Sequence, residues 1–312
     1  MTMKPTKKSV STLTMAALAF VCAIASCASG RSDESRTSAE PSRANEARTS
    51  DVRASQGDGD AFASKPLWEL TDPEMNHLIA RWQEERDDLP SRVRAILLSR
   101  LGTPYVLGCL GEGAGAKPDS EPVFRLDQVD CTVLVLTTAA LAHAHTLDEA
   151  RENMAVANYR EIGDDRPITY DGRLHFTEDR LDASPYFENI TRDVVPADLL
   201  ESKTLTLNQQ DDGSGLLPIE WTRKIALDFL PVASVTDAVL AGLPPVTGVA
   251  FIKRSYFKKG LAAAHEGVLL DGKDLVHASS DSKQVVRVPF REYLRKADGS
   301  PRFDGLVFYA FR

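Results

Sequence analysis

Residues 128–143 read QVDCTVLVLTTAALAH and place an acid and a thiol, Asp130 and Cys131, directly before an unbroken apolar run. The alanines in the second half of this run favour a helix over a strand, so we predict a buried helix that begins at Cys131 and ends near His143. A helix N-terminus stabilises a thiolate, which makes Cys131 a candidate nucleophile. Cysteine is also among the residues most often buried and inert, and Asp130 alone is most simply a helix cap.

Further helices are predicted on both sides of this run. Residues 71–74, TDPE, form a capping box that opens an amphipathic helix, and a second helix is predicted from about Ser91 to Leu101. Residues 110–122 are rich in Gly, Pro and acidic side chains and predict a loop. Residues 146–149, TLDE, form a second capping box, which opens a helix that ends near Tyr159.

The pattern changes in the C-terminal part of the chain. Residues 161–233 have weak periodicity and predict only short elements. Five short runs rich in Val, Leu, Ile and Phe then follow between turn residues and predict strands: 246–253, 266–270, 275–279, 285–288 and 306–311. Helices followed by antiparallel strands indicate a mixed α+β domain, with the N-terminal helices packed on a C-terminal antiparallel sheet.

Two of the six histidines, His265 and His277, lie in consecutive predicted strands that are otherwise apolar. A lone histidine in a strand is usually structural, but two in neighbouring strands can cooperate if they share a face of the sheet. Asp271-Gly272 between them predicts a tight hairpin. A two-residue loop would pair Leu270 with Lys273 and place the two histidines on opposite faces.

A three-residue loop gives the opposite result in either of two registers. Pairing Leu269 with Lys273 sets the two histidines directly opposite each other, whereas pairing Leu270 with Asp274 makes them diagonal neighbours on one face. In both registers the rings come within reach of each other. A functional pair therefore predicts a loop of odd length.

The N-terminus predicts export. Lys4, Lys7 and Lys8 form a basic segment, and residues 13–26 follow as an apolar segment. At roughly 14 residues the apolar segment is too short for a typical membrane span of about 20. Ile24-Ala25-Ser26-Cys27 resembles a bacterial lipobox, which implies lipidation at Cys27. The alternatives are ordinary cleavage after a small residue and a retained hydrophobic anchor.

Three segments are therefore predicted: a lipoprotein-type signal with its lipobox over residues 1–27, a disordered tether over 28–64 and a folded domain over 65–312. The tether is mostly Ser, Arg, Glu, Asp, Ala and Thr and lacks the apolar side chains of a core. We expect the folded domain to lie outside the cytoplasm, held at a bacterial membrane by a lipid anchor.

Composition excludes several partners. The chain of 312 residues has a net charge of −8 and no basic cluster, which argues against binding to nucleic acid. Neither a phosphate loop nor a dinucleotide fingerprint occurs, so we expect no cofactor. Zinc would have to use Cys131, His265 and His277 without a CxxC or HExxH motif, so we expect no metal.

Four of the five stretches given below resemble, in their order along the chain, the NlpC-type cell-wall cysteine hydrolases of the papain-like clan. The fifth stretch points more narrowly to a branch described as N-acetylmuramoyl-L-alanine amidase-like. The stretches are GTPYVLG (102–108), DCT (130–132), HEGV (265–268), HAS (277–279) and YDGRLHF (170–176). The resemblance spans roughly residues 90–312 and implies a papain-like, NlpC-type fold.

The resemblance also implies a triad. Cys131 would be the nucleophile, His265 the general base and His277 the residue that orients His265. Tyr105 would line the site, and the backbone N–H of Cys131 would help to hold the oxyanion.

The implied substrate is peptidoglycan or its stem peptides, with an amide bond cleaved through an acyl-enzyme. Arg173 and His175 are candidates for binding a substrate carboxylate, because a guanidinium matches that geometry. The alternatives are a papain-like module that binds muropeptides without turnover and an acyltransferase that uses the same cysteine.

Five positions depart from what is frequent in that family. Cys109 stands where a second Gly is common, Thr132 where Ser is common, and Glu266 where a small or apolar residue is common; residues 247–248 are Thr-Gly in place of Gly-Asp. On an ideal strand Glu266 points away from its neighbour and leaves the base undisturbed. A disulfide between Cys109 and Cys131 would block catalysis.

Overall fold

Helices fill the first part of the described chain and strands fill the second. The computed structural model describes residues 65–160 and 168–312. The signal, lipobox and tether predicted over residues 1–64 lie outside the described residues. Within the described ranges no helix is both long and apolar enough to cross a membrane.

The predicted helices are confirmed, with small changes at their ends. The longer helices are α1 (Asp72–Glu85), α2 (Leu89–Ser99), α3 (Cys131–Ala142), α4 (Leu147–Asn158) and α5 (Thr177–Ala183), and the short ones are α6 (Thr191–Val194), α7 (Asp237–Ala241), α8 (Arg254–Phe257) and α9 (Phe290–Tyr293). Helix α1 has both hydrogen bonds of its capping box. Helix α2 begins two residues earlier than predicted, because Asp88 is its cap and accepts the N–H of Ser91 at 2.8 Å. At α4 only half of the predicted box forms, since Glu149 accepts the N–H of His145 at 2.6 Å.

All five predicted strands are present. The strands of the described part are β1 (Phe187–Asn189), β2 (Glu201–Leu207), β3 (Arg223–Pro231), β4 (Val246–Ile252), β5 (Ala263–Leu270), β6 (Asp274–Ser279), β7 (Gln284–Pro289) and β8 (Gly305–Phe311). They form one antiparallel sheet in the order β2-β3-β8-β4-β5-β6-β7, with β1 paired to β8. Helix α5 and strands β1 to β3 lie in the stretch where periodicity was too weak to predict them.

The sheet is covered on both faces. In β4, Ala250 and Ile252 contribute to the larger core beneath the helices, and Val249 and Phe251 to a smaller core on the other face. Every residue of β4 is buried, as expected for a strand between two apolar layers. Helix α3 packs against β5 and β6, so the predicted nucleophile lies beside the strands that carry the two histidines.

The hairpin between β5 and β6 has the odd loop that a histidine pair requires. Leu270 pairs with Asp274, which is the register that makes the two histidines diagonal neighbours. The N–H of Lys273 still donates to the carbonyl of Leu270 at 3.0 Å, as in a two-residue turn. The carbonyl of Lys273, however, accepts the N–H of Phe290 at 2.8 Å, so Lys273 stays outside the ladder. The α+β class is thus confirmed, whereas the papain-like, NlpC-type fold remains a prediction.

Candidate active site

Cys131 is the first residue of α3 and is half-buried. The carboxylate of Asp130 caps this helix, accepting the N–H of Val133 at 2.9 Å and the N–H of Gly108 at 3.0 Å. The expected capping role of Asp130 is confirmed. Because the carboxylate also holds the loop at Gly108, it fixes the thiol between the helix and that loop.

Cys131 and Cys109 are both free thiols. Cys109 is buried, and its Sγ lies 3.7 Å from the carbonyl oxygen of Gln128. Burial, followed by the nearby Asp130, raises the pKa of Cys109 to about 12. The two cysteines differ in exposure: Cys109 is a buried core residue, whereas Cys131 is half-buried and lines a cleft.

His265 and His277 form a hydrogen-bonded pair. Nε2 of His265 lies 2.9 Å from Nδ1 of His277, and the two rings are nearly perpendicular. The register of the hairpin places Gly267 opposite His277, and a Cβ added at Gly267 would lie 2.9 Å from the Cβ of His277. The absence of a side chain at Gly267 is what lets the two strands approach here.

Aromatic side chains enclose the histidine pair. Tyr293 packs on the ring of His277 with centroids 4.4 Å apart, and the ring of Phe251 stacks on His265 at 5.6 Å. Phe303 lies parallel to His265 at 6.5 Å. Such packing leaves the imidazoles few orientations, which is what a general base needs for its direction to be fixed. The sequence contained no motif that pointed to these three aromatic residues.

A small cleft of about 60 Å³ lies over the thiol. Its walls are formed by Cys131, Thr132, His175, Thr177, Leu261, Ala263, Ala264, His265 and Glu266. Cys131, His265 and His175, three residues far apart in the sequence, are thus brought to one opening. Among the described side chains no group of three or more His, Cys, Asp or Glu is arranged to hold a metal ion.

Burial disfavours the charged forms of Cys131 and of the two histidines. Burial, followed by Asp130 and Glu266, raises the pKa of Cys131 well above its usual range, although a hydrogen bond from the backbone of Glu266 works in the other direction. Burial and the neighbouring imidazole lower the pKa of His265 well below its usual value, and burial lowers the pKa of His277 to about 4. The free site therefore holds a neutral thiol beside a neutral imidazole.

His175 lines the cleft, and one of its two ring nitrogens is engaged within the chain. Its Nε2 lies 2.7 Å from the carbonyl oxygen of Tyr170, and since a carbonyl can only accept, Nε2 carries the proton. Burial, followed by Arg173, lowers the pKa of His175 to about 4, so Nδ1 is unprotonated at neutral pH. A neutral ring in this tautomer suits a substrate N–H or O–H better than the carboxylate predicted from the sequence.

Arg173 binds carboxylates of its own chain. Its guanidinium contacts Glu112 at 2.6 Å and Asp119 at 3.1 Å, both in the Gly-rich loop predicted over 110–122, and it lies over the ring of Tyr170. The side chain is 15% exposed. Arg173 does not line the cleft, so binding of a substrate carboxylate remains a prediction, and the visible contacts hold the loop.

Tyr105 lies next to the segment that leads into the nucleophile helix. Its backbone pairs with Val129, two residues before Cys131, and its N–H donates to the carbonyl of Lys283 at 2.9 Å. The half-buried side chain is not one of the residues that form the described cleft. The position of Tyr105 is therefore adjacent to the site, and a substrate contact remains a prediction.

A buried ion pair beside the site had no signal in the sequence beyond the unusual Glu266. The carboxylate of Glu266 binds the guanidinium of Arg180, and both side chains are 1% exposed. The same carboxylate accepts the hydroxyl of Thr132 at 2.7 Å and that of Tyr309 at 3.1 Å. As expected for alternation along a strand, Glu266 faces the helix layer and not the ring of His265.

The sequence matches a known protein family. A sequence profile of the AmiA-like family, described as N-acetylmuramoyl-L-alanine amidase-like, matches residues 97–300. The chain belongs to this family. The matched stretch contains Cys131 and both strand histidines. No curated protein of known function matches the chain in a sequence search.

Solved structures with the same fold support the architecture. A Legionella pneumophila protein of the DUF1460 family superimposes with a TM-score of 0.61 at 20% identity, over 77% of this chain and 95% of its own. An N-acetylmuramoyl-L-alanine amidase from Bacteroides uniformis superimposes with a TM-score of 0.55 at 22% identity, over 72% of this chain and 99% of its own. At these identities the likeness concerns the fold.

Proposed function

We propose that the protein is a cysteine amidase that cleaves an amide bond of peptidoglycan or its fragments through an acyl-enzyme. One observation carries this proposal: a half-buried cysteine at a helix N-terminus shares a cleft with a histidine that is hydrogen-bonded to a second histidine at 2.9 Å. Nucleophile, base and orienting residue are the three parts of a nucleophilic triad. The family to which the chain belongs supports the choice of a cell-wall amide.

In the first half-reaction Sγ of Cys131 attacks the carbonyl carbon, and its proton passes to His265. This requires one ring nitrogen of His265 to be unprotonated and directed at the thiol, so Nε2–H donates to Nδ1 of His277. His277 thereby stabilises the imidazolium that forms. The tetrahedral intermediate then breaks its C–N bond, the amine takes the proton from His265, and a thioester to Cys131 remains.

In the second half-reaction water attacks the thioester and gives a proton to His265. The C–S bond breaks, the carboxylic acid leaves, and Cys131 recovers its proton. Because burial raises the pKa of the thiol and lowers that of the imidazole, the proposed mechanism couples proton transfer to the attack. The backbone N–H of Cys131 is the group proposed to help to hold the oxyanion, since the N–H of Val133 already donates to Asp130.

The bond proposed first is the amide between the lactyl group of muramic acid and L-alanine, as the family description states. His175 fits this assignment, because its unprotonated Nδ1 can accept the N–H of a substrate amide at the cleft. We further propose a papain-like, NlpC-type architecture, since the nucleophile helix packs on the antiparallel strands that carry the base.

The experiment is a digestion of purified muropeptides with the wild type and with Cys131→Ala, followed by mass spectrometry. Release of free stem peptide by the wild type alone supports the amidase. Cleavage within the stem instead would change the bond, and products joined to an added amine would indicate acyl transfer. Equal release by both proteins would refute the cysteine mechanism, and binding without release would identify a module that only binds muropeptides.

We propose that the enzyme works in the bacterial envelope, held to a membrane by a lipid on Cys27. The basic and apolar segments of the N-terminus and the lipobox-like Ile24–Cys27 support this location. Metabolic labelling with a palmitate analogue tests it: the wild type should be labelled in the membrane fraction and Cys27→Ala should not. Cys22→Ala is the matched control, and label retained in Cys27→Ala would refute the anchor.

A further inference from the structure

Thr132 and Glu266 join the two chemical groups of the site. Thr132 follows Cys131 directly in the chain and Glu266 follows His265 directly. The hydroxyl of Thr132 donates to the carboxylate of Glu266 at 2.7 Å, across 134 positions of sequence. One hydrogen bond therefore connects the first turn of the nucleophile helix α3 to the strand β5 that carries the base.

The carboxylate at the centre of this contact is itself rigidly held. Arg180 on α5 binds Glu266 from one side and the hydroxyl of Tyr309 on β8 donates to it at 3.1 Å. Both charged side chains are 1% exposed, so water competes little with their ion pair. Four elements, α3, α5, β5 and β8, thus meet at one carboxylate, and α5 also supplies Thr177 to the cleft.

We propose that Glu266 is a positioning residue of the catalytic pair, which sets the distance between Cys131 and His265 through its hydrogen bond to Thr132 and its ion pair with Arg180. This inference rests on the proposed cysteine mechanism. This hydrogen bond joins the residues that follow Cys131 and His265, so a small displacement at the contact moves both reacting groups. A misplacement of the reacting groups by about 1 Å can lower turnover strongly. Substrate binding should depend much less on the contact.

The ion pair also sets the charge that the thiol experiences. Glu266 acts on Cys131 to disfavour the thiolate, and Arg180 acts on the same thiol in the opposite sense. Replacing Glu266 by Gln would remove the negative charge and leave the guanidinium of Arg180 uncompensated beside the thiol. The thiolate should then form at lower pH.

The first test uses one substitution at two positions of the same helix. Thr132→Val removes the hydroxyl that binds Glu266, whereas Thr137→Val removes a buried hydroxyl that donates only within its own helix, to the carbonyls of Val133 and Leu134. We expect kcat to fall about tenfold or more in Thr132→Val with KM within about twofold, because a hydrogen bond to a charged group is lost. Thr132→Ser should restore most of kcat, and Thr137→Val should leave it unchanged.

The second test needs no substrate. The rate of alkylation of Cys131 by iodoacetamide is followed against pH in the wild type and in Glu266→Gln, with Cys131→Ala as the blank for the buried Cys109. The midpoint of the pH dependence of alkylation should be lower in Glu266→Gln than in the wild type by about one pH unit or more. If Glu266→Gln alone does not fold by circular dichroism, Glu266→Gln is combined with Arg180→Met, which removes both charges and should move the midpoint down by less than a lone guanidinium would.

The outcomes separate this proposal from the function on which it rests. An unchanged alkylation midpoint, or equal kcat in Thr132→Val and Thr137→Val, would overturn the role of Glu266 while the amidase remained. If the wild type releases nothing from muropeptides but the alkylation midpoint moves as expected, the coupling between Glu266 and the thiol stands and the proposed function falls.

Discussion

The substitution Gly267→Ala tests whether the hydrogen bond between His265 and His277 contributes to turnover. A Cβ on Gly267 would lie 2.9 Å from three atoms: Cβ of His277, Cδ1 of Leu275 and the carbonyl oxygen of Val276. Leu275 can rotate away, but the other two atoms are fixed to the backbone of β6. Strands β5 and β6 must therefore separate, and Nε2 of His265 must lose its 2.9 Å contact with His277.

The expected effect on stability is moderate. Overpacking of this kind costs about 1–3 kcal/mol. In a domain of this size each kcal/mol lowers Tm by roughly 2–4 °C, so we expect a fall of roughly 2–12 °C. The fold should persist, and the protein should remain monodisperse and cooperative in its unfolding.

The effect on turnover should be larger than this loss of stability suggests. In the proposed mechanism the hydrogen bond acts on an imidazole that becomes cationic in the transition state, where such bonds contribute about 1.5–3 kcal/mol. At 1.36 kcal/mol per factor of ten, kcat should fall about 10- to 150-fold. KM should change little, because the contact lies behind the base and not against the substrate.

The assay compares kcat, KM and Tm of Gly267→Ala with those of Gly242→Ala. A Cβ on Gly242 meets nothing closer than 3.5 Å, and the residue has a helical φ of −81°, so this control should leave all three quantities nearly unchanged. The double variant Gly267→Ala with His277→Ala should be no slower than His277→Ala alone, since both remove the same hydrogen bond. If kcat of Gly267→Ala stays within about twofold of the wild type while Tm falls, the orienting role of His277 is wrong.

Three further predictions concern charge. The rate at which Cys131 is alkylated in the free protein should rise only at alkaline pH, because burial raises the pKa of the thiol. A fast phase of alkylation with a midpoint below neutral pH would instead indicate a preformed ion pair with His265. The pKa values of His175 and His277, about 4 when folded against 6.5 as free groups, mean that the unfolded chain binds more protons in this window, so Tm should fall as pH decreases from 6.5 to 4. Calorimetry at a series of pH values checks this, and His277→Gln should make Tm depend less steeply on pH. Arg173→Met should lower Tm by several degrees and expose residues 110–122 to proteolysis, because Glu112 and Asp119 lose their partner; a rise in KM at unchanged Tm would assign Arg173 to the substrate.

Local signals predicted the helix that holds the nucleophile and the strands that hold the histidines. Asp130 caps α3 and Thr71 caps α1 because capping involves groups within three residues of each other. The α+β class followed from the order of these elements along the chain. Strand β2 escaped prediction because four of its seven residues are exposed in a row and show no alternation.

The pairing of the two histidines was open in the sequence and was decided by a distant contact. Asp271-Gly272 has the local geometry of a two-residue turn, with both residues at positive φ. The carbonyl of Lys273 nevertheless bonds to Phe290, and this removes Lys273 from the ladder and shifts the register by one residue. A shift of one residue exchanges the faces of a strand, so this contact brought His277 to the side of His265.

The sequence by itself determined where Cys131 lies: at the start of a buried helix and directly after the acid that caps it, since backbone hydrogen bonding and apolar patterning act over a few residues. Only the tertiary structure decided which charges meet. Arg173 bonds to the loop at Glu112, and Arg180, with no motif around it, bonds to Glu266 beside the thiol. The pairing of Arg180 with Glu266 follows from the packing of α5 and β5, because a buried charge binds whichever opposite charge the fold brings within reach.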